Sequence, residues 1–196
     1  MDFGSHTVSS VDLAVSLVNA IVPGESRGRG YPAADGVEEL RGRAQAVPGL
    51  TPGRPLTDKE TRGVAKIAEE LHAVFASAHD GDIDAAARLL NAMIVRYDAR
   101  PTLLRHDNEP WHLHFHGPGA GVVEGIGGAT SVALAFVFGG EYADRVGMCS
   151  APNCDRVYVD VSRNGTKRYC STACQNRVKA ASFRARQAGS EKLSAD

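Results

Sequence analysis

The sequence predicts a mainly α-helical body with one short β-hairpin over residues 1–144, followed by a small module of a β-hairpin and a helix over residues 145–190. In the body, apolar residues recur every three or four positions, the period of a helix, except in one stretch that alternates with a period of two. All 4 cysteines lie in the C-terminal module. A length of 196 residues accommodates one medium domain and such a module.

Two helices are expected at the start of the body. Apolar side chains at helical spacing predict the first from Val11 to Ile21, and Pro23-Gly24 ends it. Residues 24–36 are rich in Gly, Pro and Arg, a composition that predicts an exposed loop. A second, shorter helix is expected from Gly36 to Val47.

A long helix and its antiparallel partner form the centre of the predicted body. Thr57-Asp58-Lys59-Glu60 matches a capping box, in which a hydroxyl and a carboxylate satisfy free N–H groups of the first turn. Apolar residues then follow at helical spacing as far as Asp80-Gly81, which ends the helix. Asp82 caps the next helix, which runs to Tyr97, and the short link between the two predicts an antiparallel pair.

The pattern changes at residues 111–116, where three apolar residues alternate with three histidines and predict a β-strand. The alternating residues are Trp111, His112, Leu113, His114, Phe115 and His116. Gly117–Gly121 predicts a turn. An Ala-, Val- and Phe-rich stretch, Val122–Asp144, predicts the last helix of the body.

The body offers few candidates for chemistry. The three histidines can hold a metal ion or an anion, or form the solvent-facing side of an edge strand; a metal site usually adds a ligand from another element, which favours the solvent interpretation. Trp111, His112 and His114 are candidates for a small-molecule effector site, against core packing for Trp111 and solvent for the histidines. Gly125–Gly128 lacks the order of a phosphate-binding loop, and no G-x-S-x-G motif occurs. The sequence therefore does not indicate an enzyme.

The formal net charge of −1 hides a strong asymmetry. Residues 145–187 contain 9 Lys or Arg against 2 Asp, a formal charge of +7, so the rest of the chain carries −8. No uninterrupted apolar run reaches the roughly 18–20 residues that span a bilayer, so no membrane association is expected. The N-terminus lacks the basic start and apolar stretch of a secretory signal, and we expect a cytoplasmic protein.

The cysteine spacing is C-x4-C, then 15 intervening residues, then C-x3-C. The cysteines are Cys149, Cys154, Cys170 and Cys174. Two close pairs of thiolates suit a tetrahedral structural Zn²⁺ site. A reducing compartment favours metal over the alternative, which is two disulfides. We expect one zinc ion per chain, and because the module has little core of its own, much of its folding free energy should come from the metal.

The residues between and after the cysteine pairs predict the rest of the module. Val157–Asp160 and Thr166–Tyr169 flank Asn164-Gly165, a favoured tight turn, and so predict a hairpin. A helix is expected from Ser171 to Gln187, with the second cysteine pair on its first turn, where the helix dipole stabilises thiolates. A knuckle, a hairpin and a helix in this order are typical of a treble-clef zinc finger.

The last helix is expected to bury one narrow strip and to expose basic side chains. The strip that should face the zinc and the hairpin, at about 100° per residue, consists of Cys174, Val178, Ala181 and Ala185. The basic side chains then form a surface that can contact nucleic-acid phosphates. The alternative is a helix face that is merely solvated or that docks on the acidic body. The predicted DNA-contacting residues are Arg163, Lys167, Arg168, Arg177, Lys179, Arg184 and Arg186.

Several motifs of the module match one known pattern. Cys170-Ser171, Cys174–Lys179 and Arg184-Ala185-Arg186 lie in the order of a helix motif, and Val157–Asp160 with Ser162-Arg163-Asn164 matches the hairpin motif that precedes it. The module thus resembles the CGNR zinc finger. Two departures are that Gln175 replaces the family's glycine and that Tyr169 replaces its usual tryptophan; neither is a metal ligand.

The body carries weaker motifs in a matching order, which are Leu13–Asn19, Leu56-Thr57, Leu90-Asn91 and Trp111-His112-Leu113. On these the body is similar to the ABATE-type domain, which is described as a putative stress-induced transcription regulator. The two resemblances together imply a bacterial transcription regulator. They imply a mostly helical N-terminal regulatory domain that is joined to a DNA-binding zinc finger.

The interpretation that the sequence favours is a DNA-binding transcriptional regulator with one structural zinc ion. Its body is expected to dimerise, to sense a small molecule, or to do both. A homodimer is expected because one small finger touches few base pairs and two-fold pairing doubles the contacts. Two alternatives stay open: an RNA-binding or protein-docking zinc module without an operator, and a metal-dependent enzyme that uses the histidines.

Overall fold

The computed structural model describes residues 5–50, 53–105 and 110–193. The α-helices in these ranges are α1 (Ser5–Ile21), α2 (Gly36–Gln45), α3 (Asp58–His79), α4 (Ile83–Arg96), α5 (Val122–Gly139) and α6 (Thr172–Leu193). The strands form antiparallel pairs, which are β1 (Gly24–Ser26) with β2 (Arg29–Tyr31), β3 (Thr102–Leu104) with β4 (His112–His114), and β5 (Val146–Met148) with β6 (Val157–Val159). This architecture confirms the mainly α-helical fold with small β-hairpins.

Local hydrogen bonds begin α3 and α4 at the predicted residues. Thr57 Oγ1 accepts from the Glu60 amide at 3.3 Å, and Glu60 Oε2 accepts from the Thr57 amide at 2.8 Å, which is the predicted capping box of α3. Asp82 Oδ1 accepts from the Ala85 amide at 2.8 Å and caps α4. Both predicted caps are confirmed, and the two helices pack against each other.

Helix α3 lies at the centre of the body, in contact with α1, α2, α4 and α5. Its buried apolar stripe consists of Val64, Ile67, Ala68, Leu71, Val74 and Phe75. Leu17 of α1 and Leu134 of α5 are buried in the same cluster. Burial of a large apolar side chain contributes roughly 1.5–3 kcal/mol, so the contacts of this stripe are a major source of the body's stability.

Helix α5 has the length and composition of a membrane span, with a mean hydropathy of 1.6 over Val122–Gly139. The sequence analysis predicted a helix here and expected no membrane association, because no uninterrupted apolar run is long enough to span a bilayer. In the structure α5 packs against α1, α3 and α4, and its Leu134 and Val137 are buried in the core. A core helix needs the same apolar composition as a membrane span, and we assign α5 to the core. It ends at Gly139, before the predicted Asp144, because Gly140 has an extended backbone.

Residues 24–36, predicted to be a loop, contain a hairpin formed by β1 and β2. Arg27 and Gly28 make its two-residue turn, with φ angles of 54° and 86°. Two successive residues in the left-handed region are typical of a type I′ turn, which Asn-Gly and Asp-Gly favour. Because Arg-Gly is not one of these signals, the sequence-based interpretation missed the β1–β2 hairpin.

The hairpin of the module differs from the predicted one. Strand β6 forms, but it pairs with β5, and residues 166–169 contain no strand. Val146 lies opposite Val159, and both are buried in the core that the module shares with the body. The Cys149 amide donates to the Arg156 carbonyl at 2.9 Å, so the connection with the first cysteine pair closes this hairpin. The predicted pairing was wrong because the partner of β6 is β5, which lies before the first cysteine and not between the two cysteine pairs.

A buried arginine joins the module to the end of α1. Arg156 is 5% exposed, and its Nη1 donates to the carbonyl oxygens of Asn19 and Val22 at 3.1 and 2.8 Å. Carbonyl groups at a helix C-terminus lack partners within the helix, and a positive charge there is favoured by the helix dipole. Asp155 Oδ1 accepts from Arg156 Nε at 2.9 Å and compensates the buried charge.

The side chain of Asn19 makes a second link between α1 and the module. Its Oδ1 accepts from the Val157 amide at 2.8 Å, and its Nδ2 donates to the Val157 carbonyl at 2.9 Å. Both polar groups of one β6 residue are therefore satisfied by a single amide side chain. Together with the hydrogen bonds of Arg156, this contact fixes the module to the body. The module residues involved lie between the two cysteine pairs in the chain.

Replacing Arg156 by Met should lower the free energy of unfolding by roughly 2 kcal/mol, because two carbonyl groups at the end of α1 lose a buried donor. Arg100→Met is the matched control, since Arg100 pairs with Asp98 on the surface and such pairs contribute roughly 0–1 kcal/mol. Urea unfolding of the zinc-loaded proteins measures both. Equal losses in the two variants would contradict the role given to Arg156.

Candidate metal centre and basic surface

Four cysteine sulfur atoms converge beside the start of α6. All lie within 4.8 Å of one another. Cys154 Sγ is 3.8 Å from Cys170 Sγ and 3.7 Å from Cys174 Sγ. Sulfur ligands at about 2.3 Å from a tetrahedral Zn²⁺ are themselves about 3.8 Å apart. The four sulfur atoms, with Cys149 as the fourth ligand, therefore fit one zinc ion.

The same separations exclude disulfides. All four cysteines are free, and the spacing between their sulfur atoms is far longer than the bond of about 2.05 Å in a disulfide. The alternative of two disulfides is therefore wrong. Burial raises the pKa of both Cys149 and Cys170, whereas at Cys174 burial is outweighed by hydrogen bonds from the neighbouring thiols and Ser171, which lower the pKa. A divalent cation bound between the four sulfur atoms would favour the thiolate form of all of them.

Each cysteine pair is positioned by its own short element. Cys149 directly follows β5, and Cys154 ends a tight turn in which Asn153 has a φ of 52°. Cys170 lies two residues before α6 and not on its first turn as predicted, whereas Cys174 does lie there. Ser171 caps the helix, because its hydroxyl accepts from the Cys174 amide at 3.4 Å.

Asp160 was not among the predicted binding residues. It holds in place the loop that follows β6. Its Oδ1 accepts from the Ser162 amide at 2.9 Å and its Oδ2 from the Lys167 amide at 2.7 Å, and the residue is 2% exposed. Burial alone would raise its pKa, but these hydrogen bonds outweigh burial and hold the pKa of Asp160 below its usual range. The carboxylate thus shapes the loop that carries Arg163.

Helix α6 leaves the rest of the module after its second turn. Cys174 is buried and Val178 is half-buried, but Ala181 and Ala185 are exposed, so the strip predicted to face the hairpin is wrong beyond Val178. Every side chain from Lys179 to Ala188 is exposed. The reason is that the β5–β6 hairpin packs on the body and leaves nothing beneath this part of α6. We call residues 179–188 the projecting half of α6.

The seven predicted DNA-contacting residues occupy three places. Arg163, Lys167 and Arg168 are exposed on the loop after β6, and Lys179, Arg184 and Arg186 are exposed on the projecting half of α6. Arg177, two residues before the projecting half of α6, is half-buried, and its Nη2 donates to the carbonyl oxygen of Pro152. Arg177 therefore ties α6 to the first cysteine pair, and the contact of all seven residues with DNA stays a prediction.

The β1–β2 hairpin lies against the first cysteine pair, a contact that the sequence did not predict. The Gly28 amide donates to the Asn153 carbonyl at 2.8 Å. The Asp155 amide donates to the Glu25 carbonyl at 3.1 Å, and Asp155 Oδ2 accepts from the Glu25 amide at 2.9 Å. A β-carbon on Gly28 would lie 2.9 Å from an Arg177 guanidinium nitrogen. Main-chain groups of the body therefore pack directly against the turn that carries the first cysteine pair.

The predicted effector residues belong to the body and are not part of the metal centre. Trp111 is 66% exposed with Arg105 over its ring at 5.7 Å, and the His112 and His114 ring centroids lie 4.6 Å apart with the rings tilted by 46°. Of the three predicted residues, His114 lines a cleft of about 190 Å³ between α1, β4 and α5, and His116 lines it too. The three histidines do not gather as metal ligands; the cysteines are the cluster found in the described part of the chain.

Two known protein-family profiles match the chain. A profile described as the CGNR zinc finger matches residues 145–187, and a profile described as "Putative stress-induced transcription regulator" (ABATE) matches residues 11–140. The chain belongs to the ABATE family. The ABATE match extends from α1 to the end of α5, and the zinc-finger match includes all four cysteines. No curated protein matches the sequence. Neither family is enzymatic, and membership of the ABATE family indicates a regulatory role.

Cys174→Ser should abolish stable metal binding in this ABATE-family chain. A hydroxyl is a far poorer zinc ligand than a thiolate, and we expect zinc affinity to fall by more than roughly 100-fold, beyond what loss of a supporting residue costs. Elemental analysis against a competing chelator measures zinc per chain. Ala173→Ser, which adds the same hydroxyl at the exposed neighbouring position, should keep one zinc ion. Full zinc content in Cys174→Ser would contradict the four-sulfur site.

Gly28→Ala should destabilise the contact between the β1–β2 hairpin and the module. The new β-carbon meets the Arg177 guanidinium, and the φ of +86° disfavours a side chain, which together cost on the order of 1–2 kcal/mol. Thermal unfolding measures the loss. The control is Gly30→Ala in the same hairpin, because a β-carbon there meets nothing within 4 Å. Equal stability of the two variants would contradict this contact.

Proposed function

We propose that the protein is a DNA-binding transcriptional regulator, cytoplasmic and bacterial, in which the zinc module over residues 145–190 contacts duplex DNA. The helical body over residues 1–144 dimerises, senses a small molecule, or does both. The observation that carries the proposal is the projecting half of α6, a basic helical segment with every side chain exposed beyond a metal-held base. The sequence carries no catalytic motif, and we propose no enzymatic activity.

The shape of the projecting half of α6 suits the major groove. Ten helical residues span about 15 Å, and a groove about 12 Å wide admits one α-helix. Lys179 and Arg184 provide positive charge, while exposed Ala181 and Ala185 keep that part of the helix narrow. An arginine side chain can also read a guanine edge, so this segment has the chemistry for both phosphate and base contacts.

A second basic feature lies at the other end of α6. A groove of about 600 Å³ runs between the loop after β6 and the first turn of the helix, and its lining includes Lys167, Arg168, Ser171, Thr172 and Gln175. Cations and hydroxyl groups are the usual partners of DNA phosphates. The first turn of α6 forms one side of the groove and the same helix continues into its projecting half, which supports a single extended contact with one duplex.

The body has features that suit a regulatory partner of such a module. The cleft beside His114 is closed in part by apolar residues of α1 and α5, and a few polar groups in an apolar cleft are typical of small-molecule sites. A homodimer would bring two modules to adjacent half-sites of one operator. The links through Arg156 and Asn19 offer a route by which a change in α1 would alter the seating of the module.

The zinc-loaded protein should select a reproducible motif from random duplexes, and Lys179→Ala with Arg184→Ala should weaken binding to that motif. Each lost phosphate contact removes roughly eightfold in affinity at about 0.1 M salt and makes the dependence of log K on log salt shallower by about 0.9. We therefore expect a loss of roughly tenfold or more for the double variant. Fluorescence anisotropy over a salt series measures both quantities.

Arg88→Ala is the control for net charge, because Arg88 is exposed on α4, which packs against α3 and α5. It should bind the selected duplex within about twofold of the unaltered protein. Tighter binding to single-stranded RNA of the same length, or no enrichment in the selection, would contradict the DNA-binding proposal in favour of an RNA-binding or protein-docking module.

A further inference from the structure

We infer that the β1–β2 hairpin of the body is part of the DNA-contacting surface, with Arg27 and Arg29 placed on the phosphate backbone beside the groove that α6 enters. This inference rests on the proposed DNA-binding function. It adds a second element, from a distant part of the chain, to a surface otherwise built by the zinc module. It also gives the β1–β2 hairpin a role beyond that of packing against the first cysteine pair.

The position of the hairpin supports this assignment. Gly28, between the two arginines, donates to the Asn153 carbonyl at 2.8 Å and lies against the Arg177 guanidinium. Arg177 is two residues before the projecting half of α6, so the hairpin tip flanks the base of that segment. A helix in the major groove has a phosphate backbone on each side. An element that flanks the helix is placed to meet one of those backbones.

The arginine side chains are not needed to dock the hairpin. Its hydrogen bonds to the module use main-chain groups of Glu25 and Gly28, and its bond to α1 uses the hydroxyl of Tyr31, which donates to the Ala20 carbonyl at 2.7 Å. Arg27 and Arg29 are exposed and form no ion pair within the residues that the structure describes. Two exposed cations on one hairpin, neither of them in an ion pair within the described residues, are suited to an anionic partner.

The backbone conformation of Arg27 also supports this assignment. Its φ of 54° lies in the left-handed region, which costs a residue with a β-carbon on the order of 1 kcal/mol and which Gly, Asn or Asp would adopt more cheaply. An arginine at this position costs backbone free energy that Gly, Asn or Asp would not cost, which supports a role for its side chain. Glu25 is the opposing charge on the hairpin, and its exposed carboxylate would repel phosphate.

The test measures affinity for the duplex motif that the zinc-loaded protein selects. It compares the double variant, which carries both Arg27→Ala and Arg29→Ala, with the single variant Arg88→Ala. The double variant should lose roughly tenfold or more in affinity at about 0.1 M salt, and its salt dependence should be shallower by up to about two. Arg27→Lys with Arg29→Lys should keep most of the affinity, because lysine also binds phosphate as a point charge. Glu25→Gln should bind at least as tightly as the unaltered protein. Thermal unfolding of each variant should match that of the unaltered protein.

The outcomes separate this inference from the proposed function. If Lys179→Ala weakens duplex binding while the double variant at 27 and 29 stays within about twofold of Arg88→Ala, the hairpin has no part in the interface and the function stands. If the double variant loses affinity only because it unfolds at a lower temperature, the hairpin is structural and the inference is overturned. If the unaltered protein binds no duplex, or binds single-stranded RNA more tightly, both the inference and the proposed function are wrong.

Discussion

The convergence of four sulfur atoms is the constraint on which the functional part of the molecule depends. The apolar cluster around them is small, consisting of buried Ala151 with partly buried Tyr169 and Val178 beside the cysteines themselves. So little apolar area cannot hold a turn, a loop and a helix together against their conformational entropy. A zinc ion at this point ties all three elements to one centre and fixes where the basic side chains of α6 begin.

The module is also anchored to the body, so its position is not left to the metal alone. Valine side chains of β5 and β6 belong to the core of the helical body, and Arg156 and Asn19 satisfy polar groups on both sides of the junction. Buried polar contacts of this kind specify one arrangement because any displacement leaves them unpaired. The end of α1 and the strand that follows the first cysteine pair are therefore held in one relative position.

The basic residues divide by what they contact. Arg156 and Arg177 are turned inward, one to the carbonyl groups that end α1 and the other to Pro152, and their charge is used to hold the structure. Lys179, Arg184 and Arg186 of α6 face solvent. A formal charge of +7 over residues 145–187 therefore overstates the charge that is available to a partner. The arginines of the β1–β2 hairpin, counted with the acidic body in the sequence, lie beside this surface instead.

The sequence by itself determined the features that depend on neighbours along the chain. The capping box at Thr57, the apolar stripe of α3, the cysteine spacing and the start of α6 were all visible, because helical periodicity and metal-ligand spacing are local properties. Only the tertiary structure decided the partner of β6, the seat of the β1–β2 hairpin and the exposure of Ala181. Strands of three residues carry almost no pattern of their own, and contacts such as that of Asn19 with Val157 join residues 138 positions apart. Such contacts form only when the whole core has assembled, and so no segment read alone contains them.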